Sequence, residues 1–129
     1  MTRTPEEERN LQHVIGMFHD VLVPLDSSRV DDYISPRYIQ HSQMAAPTVE
    51  ALKAFLDEKR AESSEAEQHL KRAFVDGDHV ILHYHVIRFP SDPGFAVMDI
   101  FRLEEGMIVE HWDCVQDVPV SSPNPNSMF

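Results

Sequence analysis

At 129 residues, with 42% hydrophobic and 26% charged side chains, the chain has room for one domain with one core, and its composition is neither fibrous nor disordered. Its 22 acidic against 11 basic side chains give a formal charge of −11, a field that repels phosphate backbones and anionic lipid, which argues against nucleic acid and membrane surfaces as partners. No apolar run approaches the ~20 residues of a membrane span. The stretch up to Arg9 is polar and acidic where a leader is basic and then apolar, and the single Cys114 has no internal disulfide partner, so the sequence predicts a cytoplasmic protein.

Thr4-Pro5-Glu6-Glu7 starts a helix, because the Thr4 hydroxyl can cap, Pro5 suits the first helical position and Glu7 can reach back to complete a capping box. Leu11, Val14, Ile15, Phe18 and Leu22 follow at helical spacing, and Pro24 ends the run. Asp26 or Ser27 caps a second, shorter helix with Val30 and Ile34 on its inner side and Pro36 as its stop. Thr48 caps a third, whose buried face is Val49, Leu52, Phe55 and Leu56. After Ser63-Ser64 the hydrophobic period falls to two, which predicts strands. One ends near Val75; others run from about His79 to Phe89, Phe95 to Leu103 and Met107 to Gln116, with turns at Asp76-Gly77 and Glu105-Gly106. Residues 118–129 read as an extended tail closing on Met128-Phe129.

Helices first and a strand meander afterwards predict a single α+β domain over residues 1–129, three N-terminal helices packed on a curved antiparallel sheet. A curled sheet covered by helices encloses a hollow open at one end, and chemistry belongs there. Alternation on the last strand puts Val109, His111, Asp113 and Val115 on one face and Ile108, Glu110, Trp112 and Cys114 on the other. On the strand before it, Val97, Asp99, Phe101 and Leu103 share a face. Apolar surroundings disfavour a carboxylate's charge and suit it to proton transfer, so Asp99 and Asp113 are candidate bases, with His111 beside them. The competing reading is a structural ion pair.

His83 and His85, two apart on a strand, point the same way, a spacing that can serve a metal with His111 and Asp99. Without a tight cysteine or helix-borne histidine motif, satisfied histidines are the better reading, and neither metal nor cofactor is expected. Tyr38 and His41 are placed where the chain crosses the mouth of the hollow, and Trp112, facing away from Asp113, is expected under the sheet or in a dimer contact.

Asp99-Ile100-Phe101-Arg102-Leu103, then Gly106, then Ile108-Val109-Glu110-His111-Trp112-Asp113, resembles the signature of SnoaL-like proteins in the NTF2-like superfamily. Tyr38-Ile39-Gln40-His41, Leu52-Lys53-Ala54-Phe55 and the tail from Asn124 to Phe129 are similar to other parts of that family, with Met107 replacing its commoner lysine. The resemblance implies a cone-shaped roll, a homodimer and cofactor-free acid/base chemistry of the polyketide-cyclase, isomerase or dehydratase kind. It carries over His41, Asp99, His111 and Asp113 as catalytic positions. Tyr38, His83, His85, Val97, Phe101, Val109 and Val115 are then the expected contacts to a small hydrophobic carbonyl substrate. The alternative is a non-catalytic module that binds a hydrophobic small molecule or a second copy of itself.

Overall fold

The computed structural model describes residues 2–129. Helix α1, Pro5–Met17, opens on the expected box: Thr4 Oγ1 accepts from the Glu7 amide at 3.1 Å and Glu7 Oε1 from the Thr4 amide at 2.9 Å. The same Glu7 carboxylate accepts from the Gly77 amide at 2.9 Å, which ties the start of α1 to the turn of a distant hairpin. The helix then widens into a π-helical turn, Phe18–Leu22, before Pro24. Val14, Phe18 and Val21 have no exposure to solvent, and the Phe18 ring meets Tyr84 edge-on at 5.0 Å, so this stripe is the cover of the sheet.

The second helical segment is shorter than expected. Asp26 caps a 3-10 helix at Ser27–Asp32, and Ile34 already begins strand β1, Ile34–Gln40. Pro36, expected to stop a helix, instead sits exposed inside that strand. β1 lies at the edge of the sheet, where a missing N–H on the open side costs no ladder bond. Helix α2, Val49–Glu62, is capped by Thr48 as expected and buries Val49 and Leu56. Phe55 does not join them: at 100° per residue it stands roughly 120° round the helix from Val49, and it is exposed beside the Lys59 ammonium.

Strands β2 (Glu67–Asp76), β3 (His79–Ile87), β4 (Phe95–Glu104) and β5 (Met107–Asp117) form the expected antiparallel meander. β1 adds to β5 in parallel, giving the order β1-β5-β4-β3-β2. The three helical segments are therefore not all ahead of the sheet in sequence; β1 separates the second from the third. The inner face carries the core, including Val80, Leu82, Val97, Phe101 and Leu103.

One irregularity changes which residues face inward. Arg102 pairs with Glu110 but Leu103 pairs with Ile108, which leaves Val109 as an extra, bulged residue. Ile108, expected outside, is fully buried in the core, and Val109, expected on the inner face, is the half-buried bulge. Beyond the bulge the alternation resumes with Asp113 opposite Asp99 and His111 opposite Phe101.

The loop between β3 and β4 is closed by Arg88 and Asp92, whose charged groups meet through bonds of 2.8 and 3.0 Å. Gly94 ends it at φ +75, with its amide donating to Asp92 Oδ1; a Cβ there would lie 1.9 Å from the Val86 carbonyl oxygen, so only glycine fits. Residues 118–129 have no regular secondary structure, and the Phe129 ring stacks on His85 at 4.4 Å on the outer face of the sheet.

Candidate active site

β4 and β5 bring Asp99, His111 and Asp113 together on the inner face, with ligand-type atoms of all three within 4.8 Å of one another. The alternation of two adjacent strands places them, because residues directly opposite across an antiparallel pair share a face. Asp99 is 3% exposed. His111 Nε2 lies 2.8 Å from Asp99 Oδ1, and the imidazole stacks on Phe101 with ring centres 4.8 Å apart. The other Asp99 oxygen, Oδ2, accepts from the Tyr84 hydroxyl at 2.7 Å. Burial first, then the charge and the hydrogen bond of Asp99, push the Tyr84 phenol well above its ordinary value, so it stays protonated and donates.

Both oxygens of Asp99 are thus engaged. Asp113, half-buried, has no side-chain hydrogen bond among the described residues, so neither of its carboxylate oxygens is engaged.

The far side of His111 is held by β1. Its Nδ1 lies 2.7 Å from Gln40 Oε1, and Gln40 Nε2 donates to the Tyr38 hydroxyl at 3.3 Å. Tyr38 is buried, and that burial raises its phenol above the usual range. Gln40 and Tyr84 escaped the sequence reading. The alternation Val80, Leu82, Tyr84 along β3 could have found Tyr84; Gln40 needed β1 to be recognised as a strand.

The remaining candidates fall outside the cluster. His41, just past the end of β1, stands on the outer side, where its Nε2 lies 2.7 Å from Glu110 Oε2 and its ring stacks on Trp112 at 4.9 Å and 1°. Glu110 also accepts from Arg102 Nε at 2.7 Å, and its pKa is lowered first by His41 and then by Arg102. His83 and His85 share the outer face of β3, because the inward positions belong to Leu82 and Tyr84. His83 contacts Arg72, and His85 lies 2.7 Å from the Pro93 carbonyl oxygen. A metal set of His83, His85, His111 and Asp99 therefore does not assemble. A cation could be held by Asp99, His111 and Asp113, but it would have to replace the proton between His111 and Asp99.

Val97 and Phe101 are each 4% exposed and packed into the core, and Val115 packs against it, so these side chains fill the interior beside the cluster. Two surface hollows, of about 530 Å³ over Thr2 to Glu8 and about 430 Å³ between Arg9, His13 and Gly106, lie apart from it. Among the described residues no helix is long and apolar enough to cross a membrane.

Comparison with known proteins shows the family and the fold. Residues 15–111 match the family model described as a SnoaL-like domain. A protein of Jannaschia sp. CCS1 provisionally named a SnoaL-like polyketide cyclase superposes with a TM-score of 0.71 at 20% identity, over 89% of this chain and 90% of that one. A SnoaL-like protein of unknown function from Burkholderia thailandensis gives 0.72 at 13% identity, over 88% and 99% of the two chains. A protein of Kribbella flavida provisionally named a ketosteroid isomerase gives 0.74 at 10%, over 96% and 90%. At these identities the structures share a fold with this chain. No curated protein matches it.

Proposed function

Because the chain belongs to the SnoaL-like domain family, we propose that it is a cofactor-independent acid/base enzyme that removes a proton from carbon next to a carbonyl of a small hydrophobic compound. The observation that carries this reading is the unengaged Asp113 carboxylate beside a fully engaged Asp99–His111 pair. Asp113 takes the C–H proton, and the bonding pair moves onto the carbonyl oxygen as an enolate. Charge balances locally: the carboxylate becomes neutral as the substrate becomes negative, next to the imidazole and the proton it shares with Asp99.

Asp99 is then an anchor. One of its oxygens meets His111, the other accepts from Tyr84, and at 3% exposure the carboxylate is nearly closed to solvent. The enolate has three exits: reprotonation elsewhere gives an isomer, loss of a leaving group gives dehydration, and attack on a second carbonyl gives an aldol ring. The names carried by two structural neighbours, polyketide cyclase and ketosteroid isomerase, support the reading, because both reactions begin with an enolate. The experiment is deuterium uptake from heavy water into a panel of cyclic and polycyclic ketones, followed by NMR with and without protein. Accelerated exchange next to the carbonyl of at least one ketone is expected. Ketones that bind without any faster exchange would replace the enzyme by a binding module.

A further inference from the structure

Gln40 is the only polar side chain that the described residues place against His111 Nδ1. Its amide orientation is fixed by an independent contact. Gln40 Oε1 also accepts from the Ser42 backbone amide at 3.0 Å, and a backbone N–H can only donate, so the atom at that position is the oxygen. The same oxygen lies 2.7 Å from His111 Nδ1, which must therefore carry a proton. Gln40 Nε2, pointing the other way, donates to Tyr38.

A proton on Nδ1 decides what happens on the other side of the ring. Nε2 meets Asp99 Oδ1 at 2.8 Å, a distance that needs one hydrogen between them. With Nδ1 protonated, that hydrogen makes the pair either imidazolium with carboxylate or neutral imidazole with carboxylic acid. A neutral imidazole donating from Nε2 to an ionised Asp99, the remaining arrangement, is shut out. Removing the acceptor at Gln40 would admit it and lower the net charge of the pair by one.

We propose that Gln40 is the positioning residue of this site: it holds the Nδ1 proton of His111 and so keeps the Asp99–His111 pair neutral overall beside Asp113. Its position follows from β1, whose parallel pairing sets Gln40 against His111 and lets the His41 amide donate to the His111 carbonyl at 2.9 Å. The consequence for catalysis rests on the acid/base reading above; the protonation of His111 does not.

The test is a long-range ¹⁵N–¹H correlation spectrum of the imidazole nitrogens in wild type, Gln40→Leu and Gln40→Glu. In wild type, Nδ1 of His111 is expected to resonate as a protonated nitrogen at neutral pH. In Gln40→Leu it should move to the unprotonated, pyridine-type position while Nε2 becomes the protonated one, and Gln40→Glu, which restores an acceptor, should return the wild-type pattern. An unprotonated Nδ1 in wild type, or a Gln40→Leu spectrum that keeps Nδ1 protonated, overturns the proposal, and the wild-type arm decides it even if the leucine variant does not fold. Where a ketone is exchanged, Gln40→Leu should also lower kcat by roughly 10- to 100-fold, the usual cost of losing a partner that orients a functional histidine, with little change in KM. The expected nitrogen shifts with no exchange in any ketone would leave Gln40's role standing and remove the acid/base reading alone.

Discussion

Tyr84 is where the cost of a buried carboxylate is met. Asp99 lies in the core face of the sheet, and an ionised oxygen there without a donor would cost several kcal/mol. The Tyr84 hydroxyl supplies the donor to one oxygen and His111 occupies the other. Its phenol is pushed up by burial and by Asp99, Tyr33 is pushed up first by its hydrogen bond to Asp20, and Tyr38 is pushed up by burial. These are all three tyrosines of the chain. A phenol whose native pKa lies above the ordinary value of about 10 gives stability that is complete below that pH and is lost as pH rises through the native value. In a spectrophotometric titration, therefore, phenolate absorbance should lag behind that of free tyrosine, and the last tyrosine should ionise together with loss of the folded circular-dichroism signal. A full phenolate band near pH 10 in a protein that is still folded would contradict the placement of Tyr84. The acidic and imidazole members of this cluster were legible from alternation along two strands, because a charged side chain among valines and phenylalanines is conspicuous. Alternation with Val80 and Leu82 puts Tyr84 on the same face, but its part in the cluster was not legible, since a tyrosine in a strand is ordinary until its hydroxyl is seen to meet a carboxylate.

The bulge at Val109 governs how β5 meets the core. It turns Ile108 inward beside Leu103 and then restores the phase in which His111 and Asp113 face the same side. Ile108→Ala should cost about 2–5 kcal/mol in urea denaturation, as expected for truncating a fully buried side chain, whereas Val109→Ala should cost about 1 kcal/mol or less. The reverse order would show that the strand runs in uninterrupted alternation. That uninterrupted reading is what the sequence suggests, because a bulge has no glycine or proline here to announce it. The helix caps, the hairpin turns and the meander could be read directly, each resting on local chemistry at named positions such as Thr4, Thr48 and Gly77. β1 could not. Its Pro36 resembles a helix stop, and only the parallel partner β5, about 70 residues away, makes Ile34–Gln40 a strand. Missing β1 also hid Gln40, so one error of topology accounts for one omission at the site.

At the scale of the molecule, the sheet works as a divider. On its inner face a core that includes Phe18, Leu82 and Phe101 surrounds one acidic and imidazole cluster. On its outer face His41 stacks on Trp112, and His83 and His85 meet the ring of Phe129. The pleat of β3 separates His83 and His85 from His111, although a count of residue types would have pooled them. In the proposed reaction two opposed aspartates divide the labour, Asp99 as anchor and Asp113 as base. The most direct measurement is the rate of deuterium uptake into an exchanging ketone by Asp113→Asn relative to wild type, with circular dichroism confirming an intact fold. Loss of a general base should lower that rate by about 100-fold or more. A folded Asp113→Asn protein that exchanges within about twofold of wild type would contradict the assignment of Asp113 as the base.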